Sequence, residues 1–172
     1  MKEISFRADV LPLKDMLFRL ALRITLNRAE AEDVVQETMI RVWNRREQWD
    51  KIDSIEAFTT SICRNLALDR QKRMDNQSLT LDTEEHDAPD TSVASNPERM
   101  AESSDRVELV KRLMDELPEK QRSCMQLRDI EGRSYKEIAQ MMNINEQQVK
   151  VNIFRARQTI KQRFFETEKY GL

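Results

Sequence analysis

A chain of 172 residues accommodates one ordinary domain or two small ones. Charged residues make up 35% of it, with only two glycines and four prolines, which favours helices over turn-rich sheets and excludes a glycine-built phosphate loop. The net charge of −2 hides an uneven distribution: Asp82 to Asp105 holds eight acids against Arg99 alone, which leaves two mildly basic flanks compatible with nucleic-acid binding.

In chain order, Val10 to Leu26 carries Leu13, Leu17, Leu20 and Ile24 at helical spacing, widened by Phe18 and Leu22. Asn27 suits the cap of a second helix running to about Arg45, with Glu30, Glu32 and Asp33 at the positive end of its dipole and Ala31, Val35, Met39 and Val42 facing inward. Ser54 caps a third helix through Arg73, with Ile55, Phe58, Ile62 and Leu66 on its apolar face. Residues 75–104 contain Pro89 and Pro97 and almost no large apolar side chains, so burial cannot offset their chain entropy. They read as a flexible acidic linker in which helix resumes from about Pro97.

Beyond it, Val107, Leu109, Val110, Leu113 and Met114 outline a helix ending near Leu117. Pro118 fits the first turn of the next, which carries Cys124, Met125, Leu127 and Ile130 and ends at Gly132. Ser134 and Glu137 form a capping box for a short helix through Met142, and Asn145, with Gln148 three residues on, caps a long final helix. The expected fold is all-α: two small helical domains, 1–74 and 105–172, joined by the flexible acidic linker 75–104.

The tandem helices Ser134–Met142 and Glu146–Glu168, separated by Asn143-Ile144-Asn145, have the layout of a helix-turn-helix. Ile138, Ala139, Ile144, Val149 and Ile153 face inward, and the small Ala139 lets the helices cross closely. The outer face of the last helix bears Lys150, Arg155, Arg157, Lys161 and Arg163 against only Glu146, with Gln147, Gln148 and Asn152 adding amides. Cations neutralise phosphates and amides read base edges in the major groove. On the residues alone, a helical hairpin with a solvated basic face stays open. So do a stand-alone helix-turn-helix transcription regulator and a helical adaptor that contacts only proteins.

Cys63 and Cys124, in apolar helical stretches without zinc spacing, read as reduced core thiols. The single His86 sits in the acidic linker with no partner for catalysis or metal binding, so no enzyme, cofactor, metal or small-molecule substrate is expected. No signal-like start and no apolar run of bilayer length is present, so the expectation is a cytoplasmic protein without membrane insertion.

Leu117-Pro118-Glu119-Lys120-Gln121-Arg122, Leu127-Arg128-Asp129-Ile130-Glu131-Gly132, Ser134-Tyr135-Lys136-Glu137-Ile138-Ala139 and Val149 through Arg157 closely resemble the C-terminal domain of sigma-70 family factors. Ala31 through Met39 with Val42-Trp43, and Phe58 with Arg64 through Arg70, resemble the family's other conserved domain. Both matches in this order, with no additional domain, resemble the small extracytoplasmic-function (ECF) subfamily. The resemblance implies a factor that binds core RNA polymerase and directs promoter-specific transcription initiation.

It further implies that Asp33, Gln36 and Glu37 dock on the coiled coil of the polymerase β′ subunit, while the C-terminal domain meets the β flap. Arg64, Asn65, Arg70, Lys72 and Arg73 match the helix end that contacts the minus-ten element, and the chain from about Trp49 to Phe58 matches the loop that holds a flipped base. Of the tryptophans, Trp43 reads as core, whereas Trp49 is open between core and base platform; Asp69, which would repel phosphate, reads as a capping or pairing residue. Gln147, Gln148, Lys150, Val151, Asn152 and Arg155 match the minus-thirty-five reader. Val151-Asn152 stands where the family commonly has Ser-Arg, which removes a charge from the reading face, and Asn143 stands where Gly is common. An anti-sigma factor is the further implied partner, and free domains joined by a flexible linker could pack against each other and hide both DNA faces.

Overall fold

The computed structural model describes residues 3–80 and 101–170, and among these every regular element is helical. Most of the proposed linker, with His86, Pro89 and Pro97, lies outside the described residues.

Pro12 shapes the entry of the chain. Ser5 caps a π-turn over Phe6–Val10, its hydroxyl accepting from the Ala8 N–H at 3.3 Å, and a 3₁₀ turn spans Leu11–Leu13. A proline has no N–H to donate and its ring crowds the turn before it, so the regular helix α1 (Lys14–Thr25) starts after it rather than at Val10. Leu26 closes α1 in the left-handed region at φ 55°, and Asn27 then caps α2 (Arg28–Asn44) by accepting from the Glu30 N–H at 3.0 Å. Ser54 Oγ accepts from the Ala57 N–H at 3.1 Å at the head of α3 (Ile55–Thr80). This helix outruns the expected end at Arg73 because no Gly or Pro follows Met74 before residue 80, and Asp75, Asn76 and Gln77 are exposed to water.

The second half contains α4 (Ala101–Asp115), α5 (Glu119–Met125) prolonged by a π-turn over Gln126–Ile130, α6 (Tyr135–Met142) and α7 (Glu146–Tyr170). Helix resumes at Ala101, four residues after Pro97. Gly132 at φ 71° and Asn143 at φ 56° supply the left-handed turns on either side of α6, as the residue types require. Val149, Ile153, Ala156 and Ile160 form the buried stripe of α7.

The main hydrophobic core is continuous across the two halves. Leu17, Leu20, Ile24, Val34, Cys63 and Leu66 belong to the same cluster as Cys124, Leu127 and Ile138. Helix α3 packs on α1 and α2 along one side and on α6 along another. That is why Ala57, Thr59, Thr60, Cys63 and Ala67 are buried in addition to the expected Leu66, whereas Ile55, Phe58 and Ile62 are only half-buried. Both cysteines are free and buried, and burial pushes each thiol up to about 12, in keeping with inert core residues.

The Ser134–Glu137 capping box is complete, with the Glu137 N–H donating to Ser134 Oγ at 3.1 Å and the Ser134 N–H donating to Glu137 Oε1 at 3.2 Å. The bonds to Ser134 hold the Glu137 carboxylate below the usual glutamate range, against some desolvation. A depressed carboxylate stabilises the fold above its ordinary pKa, and that contribution is lost as pH falls through the depressed value. Glu137→Ala should therefore lower the unfolding free energy by about 0.5–1 kcal/mol near pH 7, screening at this half-exposed site keeping it small. The difference should shrink in urea titrations near about pH 3; an equal difference at both pH values would contradict this.

Candidate polymerase and nucleic-acid interface

On α2, Asp33 and Gln36 are exposed and Glu37 is half-buried. Gln36 borders a shallow groove of about 290 Å³ between α1 and α2, together with Phe18, Arg28 and Val35. The acids meet a residue expected elsewhere. Arg70, carried over as a minus-ten contact, reaches from α3 to Glu30 Oε2 at 2.9 Å, Glu37 Oε2 at 3.1 Å and the Asp33 carboxylate. Hydrogen bonding to Glu30 first, and then to Asp33 and Glu37, raises the pKa of the guanidinium above its ordinary value, against desolvation. Glu37 also accepts from Arg41 at 2.9 Å. Glu30, read from the sequence only as a first-turn acid, is thus part of this site.

The remaining minus-ten candidates divide. Asn65, Lys72 and Arg73 are exposed. The Arg64 side chain is only 12% exposed and makes a two-pronged bond to Glu119 of α5, Nε at 2.9 Å and Nη2 at 2.8 Å. Ser123 Oγ donates to the same carboxylate at 2.7 Å. A groove of about 710 Å³ lies between the N-terminal segment at Ile4 and the expected base-holding loop at Trp49, Ile52 and Ser54. Trp49 is 8% exposed and its indole N–H donates to the Val42 carbonyl at 3.1 Å, which makes it core. Trp43, expected as core, is 46% exposed; one residue past the inward Val42, it turns outward, edge-on to Phe6 and beneath the Arg46 guanidinium at 4.5 Å. Asp69 is exposed.

In the helix-turn-helix, Gln147, Gln148, Lys150 and Arg155 are exposed, and Val151 and Asn152 are half-buried. Gln148 and Asn145 form a reciprocal cap, the Gln148 N–H donating to Asn145 Oδ1 at 2.8 Å and the Asn145 N–H donating to Gln148 Oε1 at 3.0 Å. The side-chain oxygen of Gln148 is therefore committed to starting α7. Asn152 Nδ2 donates to the Gln148 carbonyl at 2.8 Å, and Lys150 Nζ lies over the Tyr135 ring at 5.6 Å. Arg157 bonds Asp129, Nε to Oδ2 at 3.0 Å, and Arg163 bonds Glu116 at 3.1 Å, so both cations are neutralised within the domain. Lys150, Arg155 and Lys161 keep the basic face.

Polar contacts join the two halves around the shared core. Besides Arg64–Glu119, Arg19 bonds Glu131 twice at 2.7 Å, Arg23 bonds Asp115 at 3.0 Å, and Glu56 pairs with Arg133. Arg122 donates to the Arg23 carbonyl in the last turn of α1 at 2.8 Å, where a cation suits the negative end of the helix. Burial raises the pKa values of Glu56 and Asp115 despite their arginine partners and lowers that of Arg122. The C-terminal half thus engages α3 at Glu56 and Arg64, eight residues apart, while the basic face of α7 stays open. No sequence signal marks Glu119 or Arg133 for this role, because their partners lie far away along the chain. Glu119→Gln removes the counter-charge of Arg64 and should loosen the packing, giving a larger radius of gyration in solution scattering. An unchanged radius and unchanged protease resistance would contradict the role given to this pair.

Family models for Sigma-70 region 2 and Sigma-70, region 4 match residues 10–76 and 108–160. The ECF RNA polymerase sigma factor SigE of Mycolicibacterium smegmatis is 33% identical over 150 residues, covering 86% of this chain, which spans 56% of that relative. SigL of Mycobacterium tuberculosis, also an ECF sigma factor, is 30% identical over 136 residues, covering 78% of this chain and 75% of that protein. The ECF factor SigW of Bacillus subtilis is 27% identical over 162 residues, covering 90% and 86%. The solved sigma factor RpoE from Bartonella quintana, in complex with the anti-sigma factor NepR, has the same fold: TM-score 0.72 at 21% identity, over 91% of this chain and 94% of that one. The two matched segments fall in the two helical halves and include the helix-turn-helix, and the chain belongs to the ECF RNA polymerase sigma factors of the sigma-70 family.

Proposed function

We propose that this chain binds core RNA polymerase and directs it to a specific set of promoters. One observation carries the reading: a single chain bears an acidic docking ridge on α2, a basic strand-binding end on α3 and a doubly capped helix-turn-helix, in the family's order. Asp33, Gln36 and Glu37 offer acceptors to basic side chains of the polymerase β′ coiled coil. The first turns of α7 enter the major groove at the minus-thirty-five element, where Lys150 and Arg155 neutralise phosphates and Gln147 and Asn152 meet base edges. Val151 presents an apolar surface there, suited to a thymine methyl. Asn65, Arg70, Lys72 and Arg73, joined by Arg64, hold the melted minus-ten strand, and the groove beside Trp49 and Ile52 takes an expelled base.

The two elements are separated by about 25 base pairs as their names say, roughly 85 Å along B-form DNA. Domains that share one core cannot reach both, so the packed halves part before promoter binding, and Glu119 then releases Arg64. An anti-sigma factor that holds the halves together keeps the chain inactive, in keeping with the solved relative in complex with one. The β flap is the partner for the C-terminal half. The chain catalyses nothing itself: polymerase supplies the chemistry, and the site of action is the cytoplasm, where the template is.

Run-off transcription on genomic DNA with purified core polymerase, with and without the chain, should yield new transcripts sharing two upstream elements. Arg155→Ala should weaken promoter binding about tenfold, the loss of roughly 1–3 kcal/mol expected for one such contact. Specific duplex binding without polymerase redirection would instead support a stand-alone regulator.

A further inference from the structure

We propose that Arg70 is an internal counter-ion of the polymerase-docking ridge, displaced by the basic side chains of the docked polymerase and thereby handed to the minus-ten strand. This rests on the reading of α2 as the docking surface and of α3 as the strand-binding helix.

Glu30, Asp33 and Glu37 fall on one face of α2 at spacings of three and four residues, and Arg70 bridges all three from α3. The acids are open to solvent on their outer side, Asp33 being 54% exposed, whereas the Arg70 side chain is 22% exposed behind them. A partner's cations can therefore reach the carboxylates without first moving Arg70. With Arg41 also on Glu37, three acids face two arginines, so the ridge keeps a net negative charge that attracts a basic partner. Each cation the partner adds competes for the same acceptors and repels the Arg70 guanidinium.

Exchange of this kind is easy, because ion pairs at a partly hydrated surface are weak and an arginine side chain is long and mobile. The packing of α2 against α3 does not depend on it, since Val34, Leu66 and Ala67 bury an apolar contact region of their own. Lys72 and Arg73, the exposed basic residues just beyond, form the end of α3 that Arg70 would reinforce. In the free chain the ridge holds Arg70 back from nucleic acid; with polymerase docked, it joins them. Linkage makes the effect reciprocal, so strand binding at Arg70 also strengthens docking on Asp33 and Glu37.

The discriminating variant is Glu30→Gln, which removes the leading partner of Arg70 and leaves the assigned docking residues unchanged. The probe is a labelled single strand carrying the non-template minus-ten sequence mapped by run-off transcription, titrated with the free full-length chain. Glu30→Gln should tighten binding about two- to fivefold, the size of one weak ion pair released, and steepen the salt dependence by up to about 0.7 in log–log slope. In an Arg70→Gln background the same substitution should change nothing. In holoenzyme at saturating polymerase, where Arg70 is already released, Glu30→Gln should not tighten strand binding further, while Arg70→Gln should weaken it. Arg70→Met, which keeps an aliphatic stem without the charge, is a second background should the glutamine variant fold poorly, and there too the Glu30→Gln effect should vanish. No tightening by Glu30→Gln, or equal tightening without Arg70, overturns the exchange. Unchanged strand binding by Arg70→Gln holoenzyme overturns both the exchange and the assignment of Arg70 to DNA. Redirected run-off transcription would still stand as the separate test of the sigma function.

Discussion

The packing across α3 is the constraint on which the rest of the molecule depends. One helix serves as the inner wall of the N-terminal half and as the platform for α6 of the C-terminal half, and the Arg64–Glu119 pair ties α5 to it as well. Both side chains are largely withdrawn from water, so their attraction is offset by desolvation. Losing one partner would leave the other charge stranded, which makes the pair a strong determinant of how the halves fit and a weak source of net stability. Arg122 Nε and Arg133 Nε are buried without a hydrogen-bond acceptor among the described residues, a further cost of closing. An interface of this make-up, rich in ion pairs and with buried polar atoms left unsatisfied, suits surfaces that must separate again.

Function then follows from which charges each state leaves free. In the packed state, Glu119 holds Arg64, Arg133 holds Glu56, and the α2 acids hold Arg70, so on the proposed reading two of the minus-ten arginines are neutralised from two directions. The helix-turn-helix keeps Lys150, Arg155 and Lys161 outward in the same state. The asymmetry means that duplex attraction and strand capture are under separate control. On the proposed reading, melting requires the docked, separated form, whereas weak duplex contact does not. Commitment of Gln148 to the α7 cap and the half-buried Val151 and Asn152 leave Gln147, Lys150 and Arg155 as the most accessible readers.

Much of this was legible in the sequence, for local reasons. The Ser134–Glu137 and Asn145–Gln148 caps, the left-handed Asn143 and the apolar stripe of α7 are each decided within one turn or two. The family motifs identified both halves. What escaped the sequence lies in contacts between distant positions. Periodicity assigned α3 a single apolar face because it cannot reveal that a second domain covers the other side. Trp43, expected as core, turns outward, and Trp49, open between core and base platform, is core because the 3₁₀ turn over Arg46–Lys51 folds it back onto Val42. Arg64 and Arg70 were expected as minus-ten contacts, but their acidic partners in the packed state, 55 and as many as 40 residues away, carry no local mark.

The central claim is that the halves share one core in the free chain and separate when polymerase docks. It is tested most directly by measuring the distance between spin labels at Arg7→Cys and Gln158→Cys, two exposed positions outside every assigned contact, in the free protein and in holoenzyme. The buried native thiols, raised to about 12, should remain unlabelled. A single short distance in the free chain that lengthens by tens of ångströms in holoenzyme is the predicted result. A distribution that is the same in both states would contradict the account.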